Sequence, residues 1–459
     1  MNSPDLQALA AATNTRMRAD PLADDTIARM LGPMDGIPDW PTIGMLNRLI
    51  DGWQTNGKLD GWSAPAGIPV QVAEPLEAYA ATARLLPEWA DEAKILRGET
   101  LFMDYGMLSC TLLFCSSLPE CYVLPDLAAV LHVAGQLEKH TEYRIRSTAA
   151  MIFPVMMHGG LTRADGAGVA QVLKVRLIHA TIRHLILRGD PAEADLGGAV
   201  PRLAPAVMEL NMHQALFEHG WDTARDGMPC SQEELAYTLL TFGYVFLRSM
   251  RILGLGLKTE DEEAYLHTWN VMGHLLGIER GLMADTMAQA ETMFAGFQAR
   301  GRAEPYFPDS RPALGRDLMR TMESVIPLAI IRPFPVLLTR YLCGGTTAKD
   351  IGINHRVSLL PRMLFAGGML FTRGFDTVGR LFFREFSICR MITRVVGYQF
   401  TVKLLMDQTR PLKLPPVLLN RVDNLTRSWH VDPKAPKWVT KLELRLTGRT
   451  PDAPQGEQA

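Results

Sequence analysis

Hydrophobic residues along most of the chain recur every three or four positions, which is the spacing of one face of an α-helix. The pattern is strongest from about residue 75 onward, and prolines and glycine-rich turns such as GGLTRADGAG interrupt it. Alternating runs of β-branched residues, which are typical of strands, are few. The sequence therefore predicts a mainly α fold, a multi-helix globular bundle.

The same pattern predicts four regions along the chain. These are an N-terminal loop-rich and helical cap (1–90), a helical core (91–300), a basic amphipathic helical region (301–450) and a disordered tail (451–459). Ser231 and Thr259 are expected to cap the two helices that they precede, because a hydroxyl at the N-cap accepts a hydrogen bond from a free backbone N–H group.

Composition is ordinary for a globular protein, but charge is distributed unevenly. Of the 459 residues, 47% are hydrophobic and 21% are charged, with a formal net charge of −2. Residues 1–300 carry a formal charge of −13, whereas residues 301–450 carry +13. The basic part predicts contact with something anionic, such as a membrane surface, or an internal interface. This region carries arginines within apolar runs, a pattern with two interpretations. The helices could be ordinary ones whose arginines reach the solvent, or they could form an amphipathic contact with a membrane.

Cysteine usage and the N-terminus exclude several classes of protein. Six cysteines without a CxxC pair do not make a disulfide scaffold or a zinc ribbon. Neither an export signal nor an apolar run long enough to span a bilayer is recognised. The expected location is cytoplasmic or peripheral to a membrane, and no nucleic-acid partner is expected.

The stretch KVRLIHATIRHLILRG places His179 at the seam between an apolar wall and a cationic stripe. On a helical wheel the stripe holds Arg176 and Arg183, and the wall holds Val175, Ile178, Ile182, Leu185 and Ile186. No acidic residue follows in this stretch before Asp190, so the arginines favour an anionic guest. A neutral imidazole can bind haem iron, and arginines can pair with haem carboxylates. The alternative is a hydrogen-bonded core histidine.

A second cluster, EYRIRST, places Arg144 and Thr148 four residues apart and so on one helix face. The two side chains could hydrogen-bond an oxygen ligand or a carboxylate on the other side of the same pocket. The alternative is a surface helix with an incidental arginine.

Together the motifs resemble a known family. RIRST, then KVRLIHATIR, then SQEELAYTLLTF, then TEDEEAYLHTWNVMGHLLGIE occur in this order within about residues 90–300. They resemble the catalytic domain of the rubber oxygenases, which include the latex-clearing proteins and the oxygenase that trims the farnesyl chain in mycophenolic acid synthesis. The resemblance implies a helical bundle enclosing an apolar pocket for haem b. His179 would be the iron ligand, Arg183 would follow it at the family's spacing, and Arg144 and Thr148 would lie on the distal side.

The resemblance also implies an activity. The family attacks a C=C bond of an isoprenoid or other lipophilic substrate with dioxygen. Ser147 stands where latex-clearing proteins carry a lysine that can ligate iron, a departure that argues against direct cleavage of rubber. Glu142 is the candidate catalytic carboxylate, with Glu138 as the alternative. Two other functions stay open: a haem-binding sensor, carrier or peroxidase-like enzyme, and a helical module without a cofactor.

Overall fold

Helices form nearly all of the regular structure in a computed structural model of the chain, and the predicted mainly α fold is confirmed. The structure describes residues 15–32, 39–135, 141–189, 191, 198–203, 212–303, 305–324, 326 and 328–382. For residues 107, 135, 141–144, 146, 147 and 371–382 it describes the backbone alone. The predicted tail and the part of the basic region beyond residue 382 lie outside the described residues.

The described helices are, in chain order, α1 (Pro21–Leu31), α2 (Trp40–Asp51), α3 (Val70–Ala83), α4 (Glu92–Leu112), α5 (Leu118–Cys121), α6 (Pro125–Gly135), α7 (Thr141–Met156), α8 (Gly168–Leu187), α9 (Met212–His219), α10 (Thr223–Asp226), α11 (Gln232–Phe242), α12 (Tyr244–Ile252), α13 (Thr259–Leu275), α14 (Met287–Gly301), α15 (Arg311–Ser324), α16 (Phe334–Asp350) and α17 (Leu359–Phe382). A π-helix, Leu113–Ser117, continues α4, and short 3-10 helices lie at Asn56–Leu59 and Arg280–Leu282. Strands β1 (Ala199–Val200) and β2 (Trp221–Asp222) form one small antiparallel pair in which Ala199 lies opposite Asp222.

The two predicted helix caps have different outcomes. The Ser231 hydroxyl accepts a hydrogen bond from the backbone N–H of Glu234 at 3.3 Å, so this cap is confirmed. The cap predicted at Thr259 is wrong, because α13 begins at Thr259 and Lys258 takes the N-cap position. Three acidic residues in its first turn, Glu260, Asp261 and Glu262, place negative charge at the positive end of the helix dipole.

One hydrophobic core runs across the predicted regions. It extends from Ala23 and Ile27 of α1 to Ile351 and Ile353 after α16. The helix α1 packs on α3 and on α8, so part of the predicted N-terminal cap lies against the helix that carries His179. The region boundaries themselves stay predictions.

The helices α4 and α13 pack closely because Gly98 has no side chain. A Cβ atom at Gly98 would lie 2.1 Å from the Thr268 hydroxyl oxygen and 3.0 Å from the Ala264 carbonyl oxygen. No single helix among the described residues is long and apolar enough to cross a membrane. Only the pair Glu92–Gly106 and Leu108–Cys121 reaches the required length together, and it is bent by 90°.

Candidate cofactor site around His179

The two predicted clusters lie on neighbouring helices. Thr148 belongs to α7 and His179 to α8, and the two helices pack side by side. Two side chains from other parts of the chain hold the turn between α7 and α8 by hydrogen bonds. Glu99 of α4 accepts a hydrogen bond from the Gly159 N–H at 2.8 Å, and the Asn56 side-chain amide donates to the Gly160 carbonyl at 2.8 Å. The packing and these hydrogen bonds therefore fix the position of α7 relative to α8.

The imidazole of His179 is half-buried and lacks a hydrogen bond at one nitrogen. Its Nδ1 atom is buried and has no hydrogen-bond partner in the part of the chain that the structure describes. Burial, and to a smaller extent the positive charge of Arg183, lower the pKa of His179 to about 4. The ring is therefore neutral at pH 7, which is the form that binds a metal. A buried nitrogen without a partner is a group that a bound ligand could satisfy.

An apolar face lies beside His179 and is partly open. Ile178 is 39% exposed and Val175 is half-buried, whereas the other three residues of the apolar wall, Ile182, Leu185 and Ile186, are buried. The described residues thus leave apolar surface uncovered next to the imidazole. A flat apolar ligand would find there two partly open apolar side chains and a nitrogen that has no partner among the described residues.

No acidic residue lies near the two arginines on α8, but each pairs with a carboxylate that is distant in the sequence. Arg176 binds Asp20. Its Nε and Nη2 atoms donate to the two carboxylate oxygens of Asp20 at 2.6 and 2.7 Å, and its Nη1 donates to the Leu275 carbonyl at 3.2 Å. The guanidinium is therefore engaged on all three nitrogens and ties α8 to the start of α1 and to the end of α13. Binding of a cofactor anion by Arg176 stays a prediction, and it would have to compete with Asp20.

Arg183 is fully buried but keeps one donor group without a partner. Its Nε donates to Asp24 of α1 at 2.8 Å and its Nη1 donates to the Cys230 carbonyl at 2.9 Å. Its Nη2 has no partner among the described residues. Burial raises the pKa of Asp24 to about 6, although Arg183 acts in the opposite direction. Of the two arginines, Arg183 is the one that retains a hydrogen-bond donor for a ligand.

Of the remaining predicted site residues, the structure describes the side chain of Thr148 only. Thr148 is half-buried on α7. The side chains of Arg144, Glu142 and Ser147 lie outside the described part of the structure, and so does Glu138 altogether, so their roles stay predictions. Within the residues that are described, no group of three or more His, Cys, Asp or Glu side chains could hold a metal ion.

Sequence reasoning missed three carboxylates that support the site. Asp20 and Asp24 bind the arginines of α8, and Glu99 binds the turn that precedes it. A cavity of about 530 Å³ lies elsewhere, and none of its lining residues belongs to α7 or α8. Its polar lining includes His132, Arg202, His219, Trp221, Arg225 and Tyr306.

The chain is similar to known oxygenases in fold and in sequence. The fold is that of a solved structure of latex clearing protein LCP in the closed state, with a TM-score of 0.56 over 90% of both chains at 19% sequence identity. Among curated proteins, the Rubber oxygenase of Streptomyces sp. (strain K30) is 24% identical over 317 residues. The match covers 68% of this chain and 66% of the relative's length.

Residues 122–374, which are more than half of the chain, match the family "ER-bound oxygenase mpaB/B'/Rubber oxygenase, catalytic domain". The chain belongs to this family, and the resemblance seen in its sequence motifs is confirmed.

Proposed function

We propose that the chain is an oxygenase that holds haem b through His179 and uses dioxygen to attack a C=C bond of an isoprenoid or other lipophilic substrate. Membership of an oxygenase family supports the reaction class, and the relatives are named for rubber and latex. The observation that carries the proposal is the neutral imidazole of His179, whose buried Nδ1 has no described partner.

The residues present fit such a cofactor. His179 offers one neutral nitrogen ligand, and Val175 and Ile178 offer apolar contact beside it. Arg183 offers a buried N–H donor for the acidic edge of the macrocycle. When bound, haem supplies the oxygen chemistry, and the protein supplies ligation, polarity and a dry surface.

The chain's own polar residues would orient the reactants. Thr148 can donate a hydrogen bond from α7, and Arg144 shares its helix face at a spacing of four residues. Glu142 is the candidate carboxylate for moving a proton, and Glu138 is the alternative. Ser147 is too short to ligate iron as the family's lysine does, so this side of the pocket would stay open to small ligands.

An absorption spectrum of the protein purified after expression with added haem tests the cofactor. We expect a Soret band at roughly 400–420 nm, its loss in His179→Gly, and its recovery when imidazole is added to that variant. His213→Ala, which removes a half-buried histidine from α9, is the control and should keep the band. Absence of a band in the parent protein would refute the cofactor assignment and favour a helical module without haem. An unchanged band in His179→Gly would refute His179 as the haem ligand.

A second assay tests the reaction. The haem-loaded protein is incubated with farnesyl compounds and short polyisoprenes under air, and carbonyl products are sought by mass spectrometry. Haem binding without any oxygen-dependent product would favour the sensor, carrier or peroxidase-like alternative. Ser147→Lys should shift the Soret band if residue 147 faces the iron. The cytoplasmic or membrane-peripheral location and the absence of a nucleic-acid partner stay predictions.

A further inference from the structure

The last described helix, α17, is apolar on two opposite faces over residues 359–370. Its inner face packs on α16, where the Phe365 ring meets Phe334 and Tyr341 edge-on at centroid distances of 5.7 and 6.3 Å. Pro361 on the same face is buried. In the part of α17 whose side chains are described, residues 359–370, this face makes the contacts with α16.

The outer face is equally apolar but exposed. At 100° per residue its members fall within an arc of about 140°, and Pro361 and Phe365 fall outside that arc. The outer face consists of Leu359, Leu360, Met363, Leu364 and Leu370, each between 44% and 75% exposed. A row of large apolar side chains of this kind is typical of an interaction surface rather than of a helix in water.

The described charged side chains closest in sequence to the outer face are arginines. Arg356 precedes α17 and Arg362 lies within it, and both side chains are exposed. The sequence between residues 351 and 375 contains three arginines and no acidic residue. Apolar side chains flanked by arginines alone complement a surface with an apolar interior and anionic headgroups.

We propose that the outer face of α17 docks into a lipid bilayer that contains anionic lipids. The stretch of twelve residues is about 18 Å long, which is too short to cross the apolar layer, so it would lie in the plane of the interface. The leucines and Met363 would enter the boundary of headgroups and acyl chains, and Arg356 and Arg362 would bind headgroup phosphates. This proposal does not depend on the haem chemistry, although a bilayer would also be a source of lipophilic substrate.

Flotation of the full-length protein with lipid vesicles tests the proposal. We expect binding to vesicles of phosphatidylcholine with about one third phosphatidylserine, weaker binding to phosphatidylcholine alone, and release by high salt. Met363→Glu should reduce binding at least about tenfold, and Arg356→Gln with Arg362→Gln should reduce it by roughly tenfold or more. Leu96→Glu is the matched control, because Leu96 is a 49% exposed leucine on α4, and it should leave binding unchanged.

Three outcomes would overturn the proposal. The first is failure of the parent protein to float with the anionic vesicles, or an equal loss in Leu96→Glu. The second is a dimer in light scattering that Met363→Glu separates, which would assign the face to a second copy. The third is slow reaction of Met363→Cys with a thiol reagent in the monomer without vesicles, which would assign the face to residues 383–459. If the Soret band persists in these variants, failure of the membrane proposal leaves the proposed haem function unaffected.

Discussion

Removing the charge of Asp20 tests whether α1 holds the His179 helix in place. Asp20 is 2% exposed, and its two carboxylate oxygens accept from Arg176 at 2.6 and 2.7 Å. Asp20→Asn would remove the negative charge and one of the two acceptor oxygens, so the buried Arg176 guanidinium would keep the amide oxygen and the Leu275 carbonyl as acceptors but would lose its counter-charge. Loss of one partner of a buried ion pair typically costs about 3–5 kcal/mol of unfolding free energy.

Asp25, an exposed aspartate five residues after Asp20, provides a matched control. An unfolding entropy of about 2.1 cal/mol/K per residue amounts to about 1 kcal/mol/K for a chain of this length, so the expected fall in Tm for Asp20→Asn is about 3–5 °C. Asp25 lies on α1, which Asp20 precedes as the N-cap residue; its side chain is 69% exposed, and it lies 3.9 Å from Arg29. Such a pair contributes about 0–1 kcal/mol, so Asp25→Asn should move Tm by less than about 1 °C. Scanning calorimetry measures both.

A double variant separates the ion pair from a general effect of changing α1. Asp20→Leu combined with Arg176→Met removes both charges and puts apolar side chains in their place, so much of the lost stability should return. Equal Tm shifts in Asp20→Asn and Asp25→Asn would refute the reasoning. So would a double variant whose loss equals the sum of the two single losses.

Two further substitutions test the supports of the site. Burial raises the pKa of the Glu99 carboxyl from 4.5 to about 7. The folded chain therefore binds the carboxyl proton more tightly than the unfolded chain does. The resulting contribution to stability is complete below pH 4.5 and is lost as the pH rises through 7. Glu99→Gln should therefore remove part of the fall in Tm between about pH 5 and about pH 8, and parallel curves for the two proteins would contradict a buried carboxyl. Gly98→Ala should lower stability by about 1–3 kcal/mol, because the new Cβ would lie 2.1 Å from the Thr268 hydroxyl oxygen. The control Gly44→Ala on α2, where the nearest atom is Arg48 Nη1 at 3.6 Å, should raise it by about 1 kcal/mol, and a rise in both would refute close packing of α4 on α13.

The features that could be predicted from the sequence are those that depend on residues close together in the chain. Helix class, the motif order around His179 and the cap at Ser231 all depend on residues a few positions apart, and these predictions are confirmed. The pairing of Arg176 with Asp20 spans 156 residues and that of Arg183 with Asp24 spans 159. No local spacing encodes such contacts, so the acidic partners of α8 could not be found without coordinates.

The helical wheel of α8 grouped its residues correctly but could not show what each group contacts. The arginines were expected to bind an anionic ligand, and they also pair with Asp20 and Asp24, so that Arg183 is fully buried and Arg176 nearly so. In the apolar wall, Val175 and Ile178 are partly open, whereas Ile182, Leu185 and Ile186 are buried. The burial of the arginines has a physical reason, because a guanidinium paired with a carboxylate can occupy an interior position that apolar packing would otherwise fill.

The buried ion pairs explain how a single imidazole could be presented with defined geometry. A ligating side chain is effective when the element that carries it is fixed by contacts other than those with the ligand. Asp20 and Asp24 bind α8 from the side that faces the protein, and they leave His179 and the Nη2 of Arg183, which has no partner among the described residues, for a ligand. If this is the role of α1, Asp20→Asn should weaken haem retention without moving the Soret band, because the ligand itself is unchanged. A shifted band would instead mean that α1 acts on the imidazole directly.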